Sequence, residues 1–372
     1  MKQVLNIAVD ARPLANPRSG IARYTASLLH EFALQRSPHR ILLYSDRPFQ
    51  LDFPLPEHWK VRAGAVRARG LSTPFGQMFF PVWALTDRVE AFWSPFSHLP
   101  VLLPPHIRKV LTVHDLVWKR FPQTTTRNAR VLGALSTPLS LRIADQVIAV
   151  SRFTCNEVLA FFPGTKDKIT VIYEASSLSA DGATGPRPLP TPYFLFVGSN
   201  EPRKNLTRML LAYIEYRKLS LQPFDLVIAG SYQWGDFDMI EFIKTNGLQP
   251  WVHLMQNADD SMLCTLYAHA YALVMISLYE GFGLPLVEAM QWDIPLIASN
   301  NSAVAEVAGN AALLVDPYDT NAIAGAFRQL TEDRAMHSML AYNAKIQGQK
   351  FSWARAASET MAVLVGKLAV AK

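Results

Sequence analysis

Two carboxylates, Glu280 and Glu288, bracket the segment Ser277–Met290, SLYEGFGLPLVEAM, with seven residues between them. A short apolar run ends near Ser277, so Glu280 falls in the turn that follows a strand. Gly281 and Gly283 let the backbone approach a ligand closely, and Pro285 sits where a helix would begin, at its favoured first position. The free N–H groups of that helix would cradle a phosphate. Glu288, one turn in, is placed to accept hydrogen bonds from ribose hydroxyls. The alternative is a structural strand–turn–helix with two solvated glutamates, but the G-F-G-L-P frame makes coincidence a poor account.

A second segment, Phe196–Leu206, FVGSNEPRKNL, ends a strand at Gly198 and places adjacent Arg203 and Lys204 at the start of a helix. Cations there oppose the helix dipole at a cost of a few tenths of a kcal/mol, roughly, unless an anion compensates. A diphosphate would supply that compensation, with arginine offering a forked contact and lysine a point charge. In a third segment, VLTVHDL, His114 ends a buried strand and is followed by Asp115, so its imidazole is expected to project beyond the sheet's carboxyl edge. The fourth, Asn16–Tyr24, NPRSGIARY, offers a flexible turn before a helix. Asp236-Phe-Asp238 imitates a metal-binding D-x-D, but its setting reads as a surface loop and no metal role is expected.

These segments need a scaffold, and the rest of the chain describes one. A length of 372 residues, half of them apolar and 18% charged, suits about two globular domains and argues against disorder. Two cysteines exclude a disulfide framework and a four-cysteine zinc site. The opening MKQVLNIAVDARP has no signal-peptide pattern, and no window is long and apolar enough for a membrane span, so a cytoplasmic protein is expected. Short apolar runs without alternation, such as Val4–Asp10, Arg40–Ser45, Gln146–Val150, Tyr193–Gly198 and Asp225–Ala229, alternate with amphipathic stretches. That is the pattern of parallel strands covered on both faces. Ser176–Pro192, with four prolines and two glycines, reads as a linker.

The expected organisation is therefore α/β: residues 1–175 and 193–352 as two Rossmann-like, doubly wound domains facing a central cleft. Residues 176–192 join them, and a last helix in 353–372 packs back on the first. Ligands of such sheets bind beyond the strands' carboxyl ends. Charge is uneven. Residues 1–180 carry 22 Lys+Arg against 12 Asp+Glu, and the remainder 14 against 18, so the first half suits an anionic partner. Lys60–Arg69, KVRAGAVRAR, followed by Gln77–Leu85, QMFFPVWAL, combines cations with Phe79, Phe80 and Trp83. It is expected to face a membrane or a lipid-linked pyrophosphate, unless those aromatics are ordinary core. The other class, a non-catalytic protein binding nucleic acid or anionic lipid through its basic half, is disfavoured, because no recognised nucleic-acid motif interleaves the arginines and aromatics and a binding module would not need Glu280 or Glu288.

E-G-F-G-L-P-L-V-E resembles the E-x7-E signature of the retaining glycosyltransferases of family 4, which adopt the GT-B fold. V-G-S-N-E-P-R-K-N is similar to that family's phosphate turn, T-V-H-D-L to its first-lobe histidine segment, and D-A-R-P-L…S-G-I-A-R-Y to bacterial mannosyltransferases of O-antigen and exopolysaccharide assembly. The resemblance implies a nucleotide-sugar donor, GDP-mannose foremost, with GDP-rhamnose, UDP-glucose or UDP-N-acetylglucosamine as alternatives. It implies that Arg203 and Lys204 hold the diphosphate and Glu288 the ribose. Glu280 and His114 would meet the sugar, Gly20 would lie near the phosphates, and the frame Gly281, Phe282, Gly283 and Leu284 would line the donor site. A lipid-linked or glycan acceptor and no metal cofactor complete the expectation. Many members carry an arginine directly after the Val-Gly of the phosphate turn. Here that residue is Ser199.

Overall fold

The computed structural model describes residues 4–17, 19–68, 70–179, 182, 185–231 and 237–367. The chain forms two compact units. The first comprises Met1–Arg120, Thr126–Glu174 and Ser352–Lys372, and the second Phe121–Thr125 and Ala175–Phe351.

The first unit is a seven-stranded parallel sheet. Its strands are β1 (Asn6–Asp10), β2 (Arg40–Ser45), β3 (Lys60–Ala63), β4 (Ala91–Ser94), β5 (Arg108–Val113), β6 (Gln146–Ala149) and β7 (Ile169–Val171), in the order β3-β2-β1-β4-β5-β6-β7. The central strands are the bare apolar runs, and Ile7, Ala8, Val9, Phe92, Trp93 and Leu111 are all fully buried. Helices α1 (Gly20–Leu34), α2 (Ser72–Thr86), α3 (Val117–Arg120), α4 (Arg127–Ile143) and α5 (Arg152–Phe161) cover the sheet. The basic stretch at Lys60 is the edge strand β3, whose charge suits an exposed sheet edge. Its arginine Arg62 pairs with Asp87 at 2.8 Å, and Arg69 lies outside the described residues. Of the three aromatics expected on a surface patch, Phe80 is fully buried, Trp83 packs partly buried against the core, and Phe79 is exposed.

The second unit's sheet has six parallel strands. They are β8 (Tyr193–Val197), β9 (Asp225–Gly230), β10 (Val252–Gln256), β11 (Ala272–Met275), β12 (Leu296–Ser299) and β13 (Ala312–Val315), ordered β10-β9-β8-β11-β12-β13. Helices α6 (Leu206–Leu219), α7 (Met239–Thr245), α8 (Asp260–His269), α9 (Leu284–Met290), α10 (Ser302–Ala308), α11 (Thr320–Glu332) and α12 (Arg334–Gly348) flank it. Asp238 caps α7, its Oδ1 accepting the Glu241 N–H at 3.0 Å; Asp236 lies outside the described residues. The final helix, α13 (Trp353–Leu364), belongs to the first unit. It lies against α1, with the Gln35 Nε2 donating to the Ala354 carbonyl at 2.9 Å and the Tyr24 and Trp353 rings meeting edge-on at 5.8 Å.

In both sheets the order reverses direction between the strands flanking the centre, β1 and β4 in one and β8 and β11 in the other. Loops leaving such a switch point diverge and leave room for a ligand. At the carboxyl ends of β8 and β9, two glycines are pressed together. Gly230 has φ +150, and a Cβ built on it would stand 1.8 Å from the Gly198 carbonyl oxygen. The Gly198 N–H donates to the Ala229 carbonyl at 2.9 Å, so the two loops cannot simply part. Gly230→Ala is expected to cost about 3 kcal/mol or more, read by equilibrium urea unfolding. A loss below about 1 kcal/mol would show that the loops separate freely.

Candidate active site

The segment after β8 is a tight turn rather than the first turn of a helix. Pro202–Lys204 form a single 3-10 turn, and Asn205, in the left-handed conformation at φ +63, redirects the chain into α6. Asparagine tolerates that conformation better than most residues. Its side chain also anchors the turn, Nδ2 donating to the carbonyls of Ile276 at 3.1 Å and Pro317 at 2.7 Å. The Arg203 carbonyl accepts the Leu278 N–H at 2.7 Å, joining this turn to the loop after β11.

Through that junction the structure brings Arg203, Lys204 and Glu280 together. Arg203 Nη1 and Lys204 Nζ each lie 2.6 Å from one oxygen of the Glu280 carboxylate. Arg203 Nε donates to Glu201 at 2.7 Å, and Glu201 in turn accepts the Ser199 hydroxyl at 2.6 Å. The two cations are thus compensated by two carboxylates of the chain itself, where the sequence suggested a bound diphosphate in that role. Glu280 is buried rather than solvated. Burial alone would raise its pKa, but Arg203 and then Lys204 outweigh it and hold the carboxyl at about 2. Ser199, at the position where the resemblance led to an expectation of arginine, donates its hydroxyl to Glu201.

Beyond Glu280, Gly281 and Phe282 are buried, the Phe282 ring lying edge-on to Phe351 at 5.7 Å. Gly283 precedes α9 at φ +105, and Leu284 is half-buried as its first residue. Pro285 is therefore the second residue of the helix, one place later than its favoured start. Glu288 is not a first-turn surface glutamate. It is buried in the body of α9 and accepts the Tyr267 hydroxyl at 2.7 Å. The Tyr267 ring stacks on Trp292, 5.4 Å between centroids and 9° between planes. Tyr267 was missed because nothing in its own segment marks it. A tyrosine buried on a helix one strand before the signature would have been the signal to look for.

In the first unit, His114 follows β5 but does not project freely. Its Nδ1 lies 2.8 Å from Glu174 Oε1 and its Nε2 lies 2.8 Å from the Pro95 carbonyl. Both nitrogens face acceptors, which only the doubly protonated ring can satisfy. Burial would lower the pKa, but the Glu174 carboxylate more than offsets it, and the value lies above the ordinary one. The Tyr24 ring meets His114 edge-on at 4.8 Å. Gly20, exposed at the start of α1, lies one helical turn before Tyr24 on the same face. Asp115 acts on His114 only as a nearby negative charge, the smallest of the influences raising its pKa, and it accepts the Val117 N–H at 3.1 Å at the start of α3. Sequence reasoning quoted Asp10 and Arg12 within D-A-R-P-L without giving them a role; they form a buried forked pair at 2.6 Å whose guanidinium stacks near Phe80 and Phe96. Beside it His98 is pushed down to about 4, by burial first and then by Arg12.

Comparison with known proteins follows the same division. A family model described as Glycosyltransferase Family 4 matches residues 18–177, and one described as Glycosyl transferases group 1 matches residues 183–347. The chain is 27% identical to O-antigen chain mannosyltransferase B of Escherichia coli, over 96% of this chain and 98% of that one. Among solved structures, a sucrose-phosphate synthase from Thermosynechococcus elongatus superimposes with a TM-score of 0.76 at 19% identity, covering 96% of this chain and 98% of that chain. The Anabaena protein HepE in complex with UDP and glucose gives 0.73 at 16% identity, covering 97% and 99%.

The Glu280 arrangement has an acid signature. Its folded-state pKa lies below the unfolded value, so its stabilisation is complete above about pH 4.5 and is lost as pH falls toward 2. Between pH 6 and pH 3 the stability gap between wild type and Glu280→Gln should narrow by about 2 kcal/mol. Urea unfolding at both pH values measures it. A gap that does not change with pH would show that the cations do not hold the carboxylate.

Proposed function

The chain belongs to the glycosyltransferases of the GT-B fold, with a family 4 domain followed by a group 1 domain, and from that premise we propose that it transfers mannose from GDP-mannose. The acceptor is a lipid-linked or glycan chain in surface-polysaccharide assembly, at the inner face of the cytoplasmic membrane. Likeness along nearly the whole chain to an O-antigen mannosyltransferase supports the sugar and the pathway class. The observation that carries the reading is the adjacent pair Arg203 and Lys204, held on one turn at the carboxyl edge of a parallel sheet.

Breaking a sugar–phosphate bond leaves a charged diphosphate, and stabilising that charge is the main demand on the site. Arg203 and Lys204 meet it by exchanging part of their pairing with Glu280 for the incoming phosphates, so transfer needs no metal. Glu288, with Tyr267 fixing one of its oxygens, takes the ribose. Gly20 lies near the phosphates, and the Gly281, Phe282, Gly283 and Leu284 frame lines the donor. His114 holds the sugar, its Nε2–H turning from the Pro95 carbonyl to a hydroxyl.

The transfer retains the anomeric configuration without a covalent sugar–enzyme ester. A double displacement needs a basic carboxylate behind the anomeric carbon. Glu280, held at about 2 between two cations, is weakly basic and already engaged, which favours same-face attack with the departing diphosphate taking the acceptor's proton.

Two outcomes test this reading. Calorimetry against GDP-mannose, GDP-rhamnose, UDP-glucose and UDP-N-acetylglucosamine should give tightest binding to the first. Lys204→Ala should weaken that binding by about 1.5–3 kcal/mol, with turnover unaffected by excess EDTA in the wild type. Equal affinity in the variant, or manganese-dependent turnover, would remove the assignment. NMR of the product should show the donor's anomeric configuration; an inverted centre, or a glycosylated Glu280 trapped by mass spectrometry, would overturn the mechanism.

A further inference from the structure

The first unit leaves one apolar face uncovered. The crossovers β3 to β4 and β5 to β6 run in the same direction across the sheet, which places α2 and α4 on the same side. Met78 and Val82 stand one turn apart on α2, and Val131, Leu135 and Leu139 form a three-turn stripe on α4. All five are exposed. The loop after β4 joins the two helices. Gln77 of α2 bonds the Leu99 carbonyl at 3.0 Å and the Val101 N–H at 2.8 Å, and the Ser140 hydroxyl of α4 accepts the Leu99 N–H at 2.9 Å. Leu102, in this same loop, is 75% exposed, with Leu135 at 71% and Met78 at 66%.

Within the segments that build this face the charge has one sign, although Arg120 is paired with Glu157 of α5 at 3.5 Å. Residues 117–144 contain Lys119, Arg120, Arg127, Arg130 and Arg142 and no Asp or Glu, and residues 64–86 contain no acid either. Exposed apolar side chains grouped on one side of a sheet mark an interaction site. A second copy of the chain would bring cations against cations, whereas an anionic lipid surface matches both the leucines and the arginines. We propose that this face of α2, α4 and the loop between them docks the first unit on an anionic membrane. The leucines enter the headgroup boundary while Arg127 and Arg130 meet lipid phosphates. The surface differs from the Lys60–Arg69 patch suggested by sequence, whose Phe80 is core and whose Arg62 is paired to Asp87.

This deepens the membrane placement in the proposed function, and because vesicle binding is read without sugar transfer, its failure leaves the donor reading standing. The full chain should co-sediment with phosphatidylcholine vesicles containing phosphatidylglycerol, and at least tenfold less with phosphatidylcholine alone. Leu102→Ser combined with Leu135→Ser should weaken binding by roughly tenfold per leucine. Arg127→Gln combined with Arg130→Gln should weaken it by roughly fivefold per charge. Both variants should keep the wild-type melting temperature and near-UV spectrum, since every substituted side chain is exposed. No binding to the anionic vesicles, or wild-type binding by the leucine variant, overturns the proposal. So does a dimer in sedimentation velocity that the leucine variant abolishes while vesicles are ignored, which would give the face to a second copy.

Discussion

Arg203 and Lys204 occupy neighbouring positions on one tight turn, largely withdrawn from water, and their mutual repulsion has to be answered there. Glu280 answers it by placing one carboxylate oxygen on each cation. The loops after β8 and β11 must then stay in register, because the carboxylate comes from one and both cations from the other. The backbone bond between Leu278 and Arg203, the two bonds from Asn205 and the close approach of Gly198 to Gly230 all serve that register. Removing one partner of a buried set like this leaves the others uncompensated, a larger loss than the pairing itself is worth.

The first unit follows the same rule with different residues. Its carboxyl edge carries Asp10 with Arg12 and His114 with Glu174, each charge met by an opposite one from the chain. In both units, therefore, the charged groups at the carboxyl edge have their electrostatic demands satisfied internally. A ligand binding there competes with existing pairs, so its affinity is a difference between two sets of contacts. Selectivity follows from that difference: a ligand gains only where it replaces an internal partner with a better one.

The central strands were legible because a strand covered on both faces is a bare apolar run, as in YFLFV and DLVIAG. The edge strand β3 was not, since Lys60–Ala63 is short, charged and exposed, and reads as surface. The helix α2 was hidden too: Phe79, Phe80 and Trp83 are apolar around much of its circumference, which blurs the helical period. At the site, the motifs located Arg203, Lys204, Glu280 and Glu288 one by one, but not which would touch. Arg203 and Glu280 lie 77 positions apart, and His114 and Glu174 lie 60 apart. Their meeting depends on which strands neighbour each other, a property of the sheet order and not of either segment. Glu174 sits in no motif, just beyond β7, and only its place on the fold identifies it.

The helix α13 gives the first unit a peculiar history. Its last layer, with Trp353 against Tyr24 and the Val363 carbonyl accepting from Arg108, is encoded after the entire second unit. On the ribosome the amino-terminal sheet emerges first, as is usual, yet it must wait with the α1 surface bare until translation has passed through the other unit. The two units are thus successive in sequence but interlocked in time: the second can finish while the first is still incomplete. A nascent chain stalled in its final stretch would carry a finished second unit beside an unfinished first one, with an apolar strip open to chaperones.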